Sequence, residues 1–219
     1  MTSVAKSTGK GSIIWIAGLV LVVILGVIAV VAARGSRNEA TEKVDAQQTA
    51  PVEISGTPLP GLPDTGADAA VGQTIPSATG IGFSGEPVEI GPDDDTAKVI
   101  IFAAHWCPHC QRELPILVDH LETSPMPDDV ELLTVSTSVV EARGNYPPSS
   151  WFDEIGWTAP VLVDSEAGEA AAAFALPGFP YFVAVDREGK VVARTSGEIP
   201  TDEFDALVEA ARTGEAPPG

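Results

Sequence analysis

Histidine and cysteine are scarce in this 219-residue chain, which has three of the first and two of the second. Basic residues are few as well: 12 Lys and Arg against 31 Asp and Glu give a net charge of −19. That balance excludes a nucleic-acid partner, because phosphate binding needs a basic face. The histidine after a C-x-x-C pair that covalent haem requires is missing, since Gln111 follows Cys110. A structural zinc site needs four ligands, and here His105 and His109 interleave with Cys107 and Cys110 instead of forming a separate arm. Closing a tetrahedron on so tight a cluster strains the backbone, so neither metal nor cofactor is expected. No cysteine lies near residue 33, which excludes a lipid-modified cysteine there. No internal repeat is visible.

Charge is also missing from one long run. Residues 13–33, IIWIAGLVLVVILGVIAVVAA, hold no charged or strongly polar side chain. As a helix the run spans ~30 Å, the thickness of a bilayer core. A cleaved signal peptide competes, with Val31-Ala32-Ala33 as its cleavage site. The run exceeds the ~7–15 residues of a signal h-region, which favours an uncleaved anchor behind a short tail, 1–12. Lys6 and Lys10 precede it and Arg34, Arg37 and Lys43 follow, so flanking charge sets no orientation. Five basic and two acidic residues occur up to Lys43, net +3, and the remainder carries −22. Residues 34–75 are rich in Ala, Thr, Gly, Pro and Asp, with no sustained apolar period, and read as a disordered tether. Flexible chain of that length reaches roughly 35 Å.

One domain is expected over 76–214. KVIIFAA (98–104) and VELLTVST (130–137) read as buried strands, and PVLVD (160–164) as a short one. PHCQRELPILVDHLET sets Leu114, Leu117, Val118 and Leu121 at helical spacing. SSWFDEI (149–155), SEAGEAAAAFAL (165–176, N-cap Ser165) and TDEFDALVEAAR (201–212, N-cap Thr201) read as further helices. YFVAVDREGKVVARTSG (181–197) reads as a hairpin turning at Glu188-Gly189. The pattern predicts an α/β fold: a mixed central sheet with helices on both faces.

Thiol–disulfide exchange suits the cysteine pair. Cys107 stands where a strand feeds a helix, so free N–H groups and the helix dipole favour its thiolate. Pro108 falls in the first turn, where its missing N–H costs nothing. Cys110 lies one turn deeper on the same face, so Cys107 attacks and Cys110 resolves. His109 sits between them and is expected to tune the pair by favouring the reduced form. Glu113, three residues past Cys110, is placed to take the Cys110 proton. Pro115 interrupts the helical ladder. His105 reads as structural and His120 as a surface residue.

WCPHC, the helix proline Pro115 and LPGFPYFVAVDREGKVV together resemble the thioredoxin superfamily. CPHCQRELP, with Glu113 in place, is similar to its TlpA/ResA-like branch of membrane-anchored thiol–disulfide oxidoreductases. VGQTIPSATGIGFSGEPVEI resembles that branch's extra N-terminal hairpin, and SSWFDEIGWTAPVLVDSEAGEAAAAFAL its inserted helix. The resemblance implies a cis bond at Pro180, with Trp106, Phe179 and Pro180 contacting substrate. It also implies an extracytoplasmic domain and a membrane redox partner that recycles it. The implied substrates are cysteine-containing exported proteins, with apocytochromes and copper-site proteins as candidates. Pro-His between the cysteines is closer to DsbA-type oxidants than to this branch, and Phe before the cis-proline is unusual. A copper-binding or delivery module using the same cysteines is the competing reading. No histidine follows His120 to serve as its third ligand.

Overall fold

The computed structural model describes residues 46–92 and 95–217. The 1–12 tail, the expected span at 13–33 and the start of the tether lie outside the described residues. Among the described residues no helix is long and apolar enough to cross a membrane.

Five strands form the main sheet: β4 (Ala97–Ala103), β5 (Val130–Ser136), β6 (Val161–Val163), β7 (Tyr181–Val185) and β8 (Val191–Ser196), in the order β6-β5-β4-β7-β8. β4 pairs parallel with β5, and β5 with β6. β7 runs antiparallel to β4 and to β8. The expected mixed sheet is therefore present. β4 sits at its centre and every one of its residues is buried, which is why residues 99–103 read as an unbroken apolar run.

Alternation along β4 separates two apolar layers. Val99, Ile101 and Ala103 face a core with Leu114 and Leu117 of α1 (Pro108–Thr123). Trp151 and Phe152 of α2 (Pro148–Glu154) and Phe204 and Leu207 of α4 (Thr201–Thr213) complete that core. Ile100 and Phe102 face the second layer, which includes Ala170 of α3 (Glu169–Ala173) together with Phe174 and Tyr181.

The second layer corrects the tether reading. From residue 46 that segment is packed: Val52, Leu59, Ala70 and Ile75 are buried with Phe102 and Val183. β1 (Glu53–Ser55) pairs with β2 (Ser77–Ile81), and β2 with β3 (Pro87–Ile90). The expected N-terminal hairpin is thus β2–β3, extended by a third strand. These apolar residues are buried singly from irregular backbone, so they leave no period in the sequence. Arg194 of β8 fastens the segment. It donates to both carboxylate oxygens of Asp68 at 2.5 and 2.8 Å, to the Pro60 carbonyl at 2.9 Å and to the Tyr181 hydroxyl at 3.1 Å.

Two helix starts also differ from expectation. α3 begins after Gly168, whose φ of 71° is left-handed, rather than at Ser165. Asp164 accepts from the N–H groups of Ser165, Ala170 and Ala171, which draws the intervening residues into a turn. α4 is preceded by Pro200 as N-cap, and Thr201 is its first residue.

Candidate active site

α1 follows β4 after a four-residue turn, and Cys107 is its N-cap, with extended φ and ψ of −75° and 121°. Pro108 occupies the first helical position. The Cys107 carbonyl accepts from the Gln111 N–H at 3.0 Å, the first bond of the helix. The expected placement of the pair is realised: Cys107 is 6% exposed and Cys110 fully buried, both as free thiols. Burial pushes the Cys110 thiol well up; contact with the Cys107 side chain adds to this, and the Ala104 backbone only partly offsets it.

The Phe179–Pro180 peptide bond is cis, as is Tyr146–Pro147. Its chain lies across from the helix N-terminus, with the Phe179 carbonyl oxygen 3.9 Å from Cys107 Sγ. Trp106 stands beside it: its ring meets Phe179 edge-on at 5.9 Å, and its Nε1–H donates to the Ser138 carbonyl at 2.7 Å. The Arg143 guanidinium lies 4.4 Å from the Trp106 ring centre. Trp106, Phe179 and Pro180, expected together from the resemblance, border Cys107 on this side.

Glu113 is buried at 3% exposure, and both its carboxylate oxygens lie 3.3 Å from the Ile199 backbone N–H. Burial raises its pKa; the Ile199 N–H opposes this, and Glu198 and Glu203 add to it. A carboxyl held above its usual range, one turn from a buried thiol, is suited to receive a proton.

His109, in the first turn of α1, has two side-chain partners. Its Nδ1 lies 2.5 Å from Glu198 Oε1 and 2.9 Å from Arg112 Nη2. A ring nitrogen either donates or accepts, and the nearer carboxylate makes Nδ1 the donor. Arg112 also bonds Glu198, through Nε at 3.1 Å and through Nη2. Hydrogen bonds from Arg112 and then His109 hold the Glu198 carboxyl down at about 2. Nothing in the spacing of the sequence marks Glu198.

His105 is structural, as expected, and the structure shows what it does. It is buried; its Nδ1 donates to the Gly144 carbonyl at 2.8 Å and its Nε2 accepts from the Val140 N–H at 3.2 Å. Burial lowers its pKa against the opposing effect of its backbone partners. His120 is more than a surface residue: its Nε2 lies 2.7 Å from Asp205 Oδ1 and its ring packs edge-on against Phe204, joining α1 to α4.

Among the described residues no three His, Cys, Asp or Glu side chains are grouped to hold a metal ion. His105 and His109, the histidines on either side of Cys107, are both bonded to other partners. A cavity of about 470 Å³ lined by Val118, Leu121, Met126 and Trp157 includes none of the site residues.

Comparison with known proteins agrees with this geometry. Nucleoredoxin of Mus musculus is 24% identical over 113 residues, which are 51% of this chain and 25% of that protein, so the chain spans about a quarter of its length. The methylamine utilization protein MauD of Paracoccus versutus is 27% identical over 154 residues, 70% of this chain and 71% of MauD. A putative thiol:disulfide interchange protein DsbE from Chlorobium tepidum superposes with a TM-score of 0.54 at 19% identity, covering 64% of this chain and 96% of that one. A secreted Mycobacterium tuberculosis disulfide oxidoreductase homologous to E. coli DsbE gives 0.51 at 22% identity, over 60% and 94%. Residues 87–212 match the family described as Thioredoxin-like domain. With the cysteine pair at the helix start and the cis-proline opposite, the chain belongs to the thioredoxin-like domain family.

Proposed function

We propose that this protein is a thiol–disulfide oxidoreductase of the TlpA/ResA-like kind, held at the membrane by residues 13–33 and working outside the cytoplasm. One observation carries the reading: Cys107 caps α1 with its sulfur 3.9 Å from the carbonyl before cis-Pro180, while Cys110 lies buried one turn on. An extended substrate strand laid along Phe179 and Pro180 would present its sulfur to Cys107.

In the reducing direction the Cys107 thiolate attacks one sulfur of a substrate disulfide. That S–S bond breaks, its electron pair leaves with the first substrate thiolate, and a Cys107–substrate mixed disulfide forms. Cys110 then gives its proton to Glu113 and attacks Cys107 Sγ. The second substrate thiolate leaves, so the substrate gains two electrons and Cys107–Cys110 becomes the disulfide. Burial keeps Cys110 a thiol until that moment, which is why the step needs a base. Run backwards, the same steps oxidise a dithiol, and the recycling partner at the membrane sets the direction. The substrates on this reading are exported proteins with paired cysteines, apocytochromes and copper-site proteins among them.

A disulfide-reductase assay beside a Cu(I) titration of the reduced full chain tests the reading. We expect turnover that Cys107→Ser abolishes. Tight stoichiometric Cu(I) binding without turnover would replace the reading with a copper-delivery module.

A further inference from the structure

We infer that Glu198 is a positioning residue for the exchange reaction: its carboxylate holds Arg112 and His109 together, and so limits the positive charge that reaches Cys107. The inference rests on the reading of Cys107 and Cys110 as an exchange pair. Glu198 lies in the turn between β8 and α4, directly before Ile199. The two neighbours grip α1 on adjacent positions: Glu198 binds His109 and Arg112, while the Ile199 N–H serves the buried Glu113. One short turn thereby fixes three residues around Cys110.

Charge on this side of the helix is arranged in opposition. Arg112 interacts electrostatically with Cys107 as well as with Glu198. Glu113 of α1 interacts electrostatically with Glu198 and with Glu203 of α4. With Glu198 in place, the Arg112 guanidinium is neutralised and the His109 Nδ1–H is turned to a carboxylate instead of the thiolate. Without it, one uncompensated positive charge remains near Cys107. That charge favours the thiolate, stabilises the reduced pair and makes the disulfide more oxidising. Removing Arg112 instead leaves an uncompensated carboxylate and does the reverse. The side chains are 56%, 54% and 34% exposed for His109, Arg112 and Glu198, so solvent screens the effect and keeps it modest.

Opposite signs from two neutralising substitutions separate this role from simple bracing of the helix, whose loss would move both variants the same way. The test uses the full chain as wild type, Glu198→Gln, Arg112→Gln and the double variant. Each is equilibrated in glutathione redox buffers, and Cys107 is titrated by thiolate absorbance. Circular dichroism of each variant reports retained fold. Glu198→Gln should shift the glutathione equilibrium about three-fold toward the dithiol and lower the pH at which Cys107 ionises. Arg112→Gln should shift both about as far the other way, and the double variant should return close to wild type. Single variants that move together, or that do not move, overturn the role of Glu198. A wild-type chain that forms no Cys107–Cys110 disulfide in any buffer overturns the exchange reading itself, and the role of Glu198 with it.

Discussion

Glu113 and Ile199 meet 86 positions apart in the chain: both carboxylate oxygens of Glu113 lie 3.3 Å from the Ile199 N–H. That single donor does not offset the burial of a carboxyl that is 3% exposed, and the pKa is raised. Activity and stability then pull apart at this residue. Because the folded-state pKa lies above the unfolded one, ionised Glu113 opposes folding. Its cost is absent below the ordinary value of 4.5 and grows as pH rises through the window above it.

Glu113→Gln should therefore slow turnover by about 10²-fold, the usual size of a lost acid–base group, and flatten the rate profile above pH 4.5. The same variant should melt at a higher temperature at neutral pH. Unchanged kinetics and an unchanged pH profile would reduce Glu113 to a packing residue.

Asp68→Ala should destabilise the domain by about 3–5 kcal/mol, because it strands a guanidinium that is fully buried beside Tyr181. Burial pushes the Asp68 carboxyl up, but its bonds to Arg194 and the Ala70 N–H outweigh that and hold it below 3.8. Its contribution is therefore present above that value and lost as pH falls through the lower folded one. Urea titration of the variant measures the loss. A change within experimental scatter would show that the 46–75 segment is held by its apolar residues alone.

Acid should loosen the segment after β5 through His105. The folded pKa of His105 lies below 6.5, so its contribution is complete above 6.5 and declines as pH falls toward the folded value. Protonation at Nε2 abolishes the acceptor that holds the Val140 N–H. Hydrogen exchange should show Val140 protected at neutral pH and faster in acid than base-catalysed chemistry predicts, with His105→Gln unprotected throughout. Equal protection of Val140 at both pH values would separate the segment from His105.

The parts of the fold and site that local sequence reveals are those built from neighbours in the chain. β4 shows as an apolar run, α1 as a 3.6-residue stripe, and Cys107, Cys110 and Glu113 as positions on one helix. Pro180 was legible only through the family resemblance, since an X-Pro before a strand is common. The parts that were not legible depend on long-range polar contacts. Arg194 reaches Asp68 over 126 positions, and Arg112 reaches Glu198 over 86, distances at which spacing holds no trace of a bond. The position of His109 between the cysteines points to tuning of the pair, but the carboxylate its ring bonds comes from Glu198, 89 positions on, in the turn before α4. The packed stretch before β2 escaped for a related reason, because single buried residues such as Leu59 make no pattern.

The division of labour between the two sulfurs is tested most directly by trapping. Full-length Cys110→Ser, incubated with a peptide disulfide and digested for mass spectrometry, should hold the peptide on Cys107 as a stable mixed disulfide, because the buried thiol that would release it is gone. Cys107→Ser should hold none. A stable adduct on Cys110 in the second variant, with none on Cys107 in the first, would contradict the account.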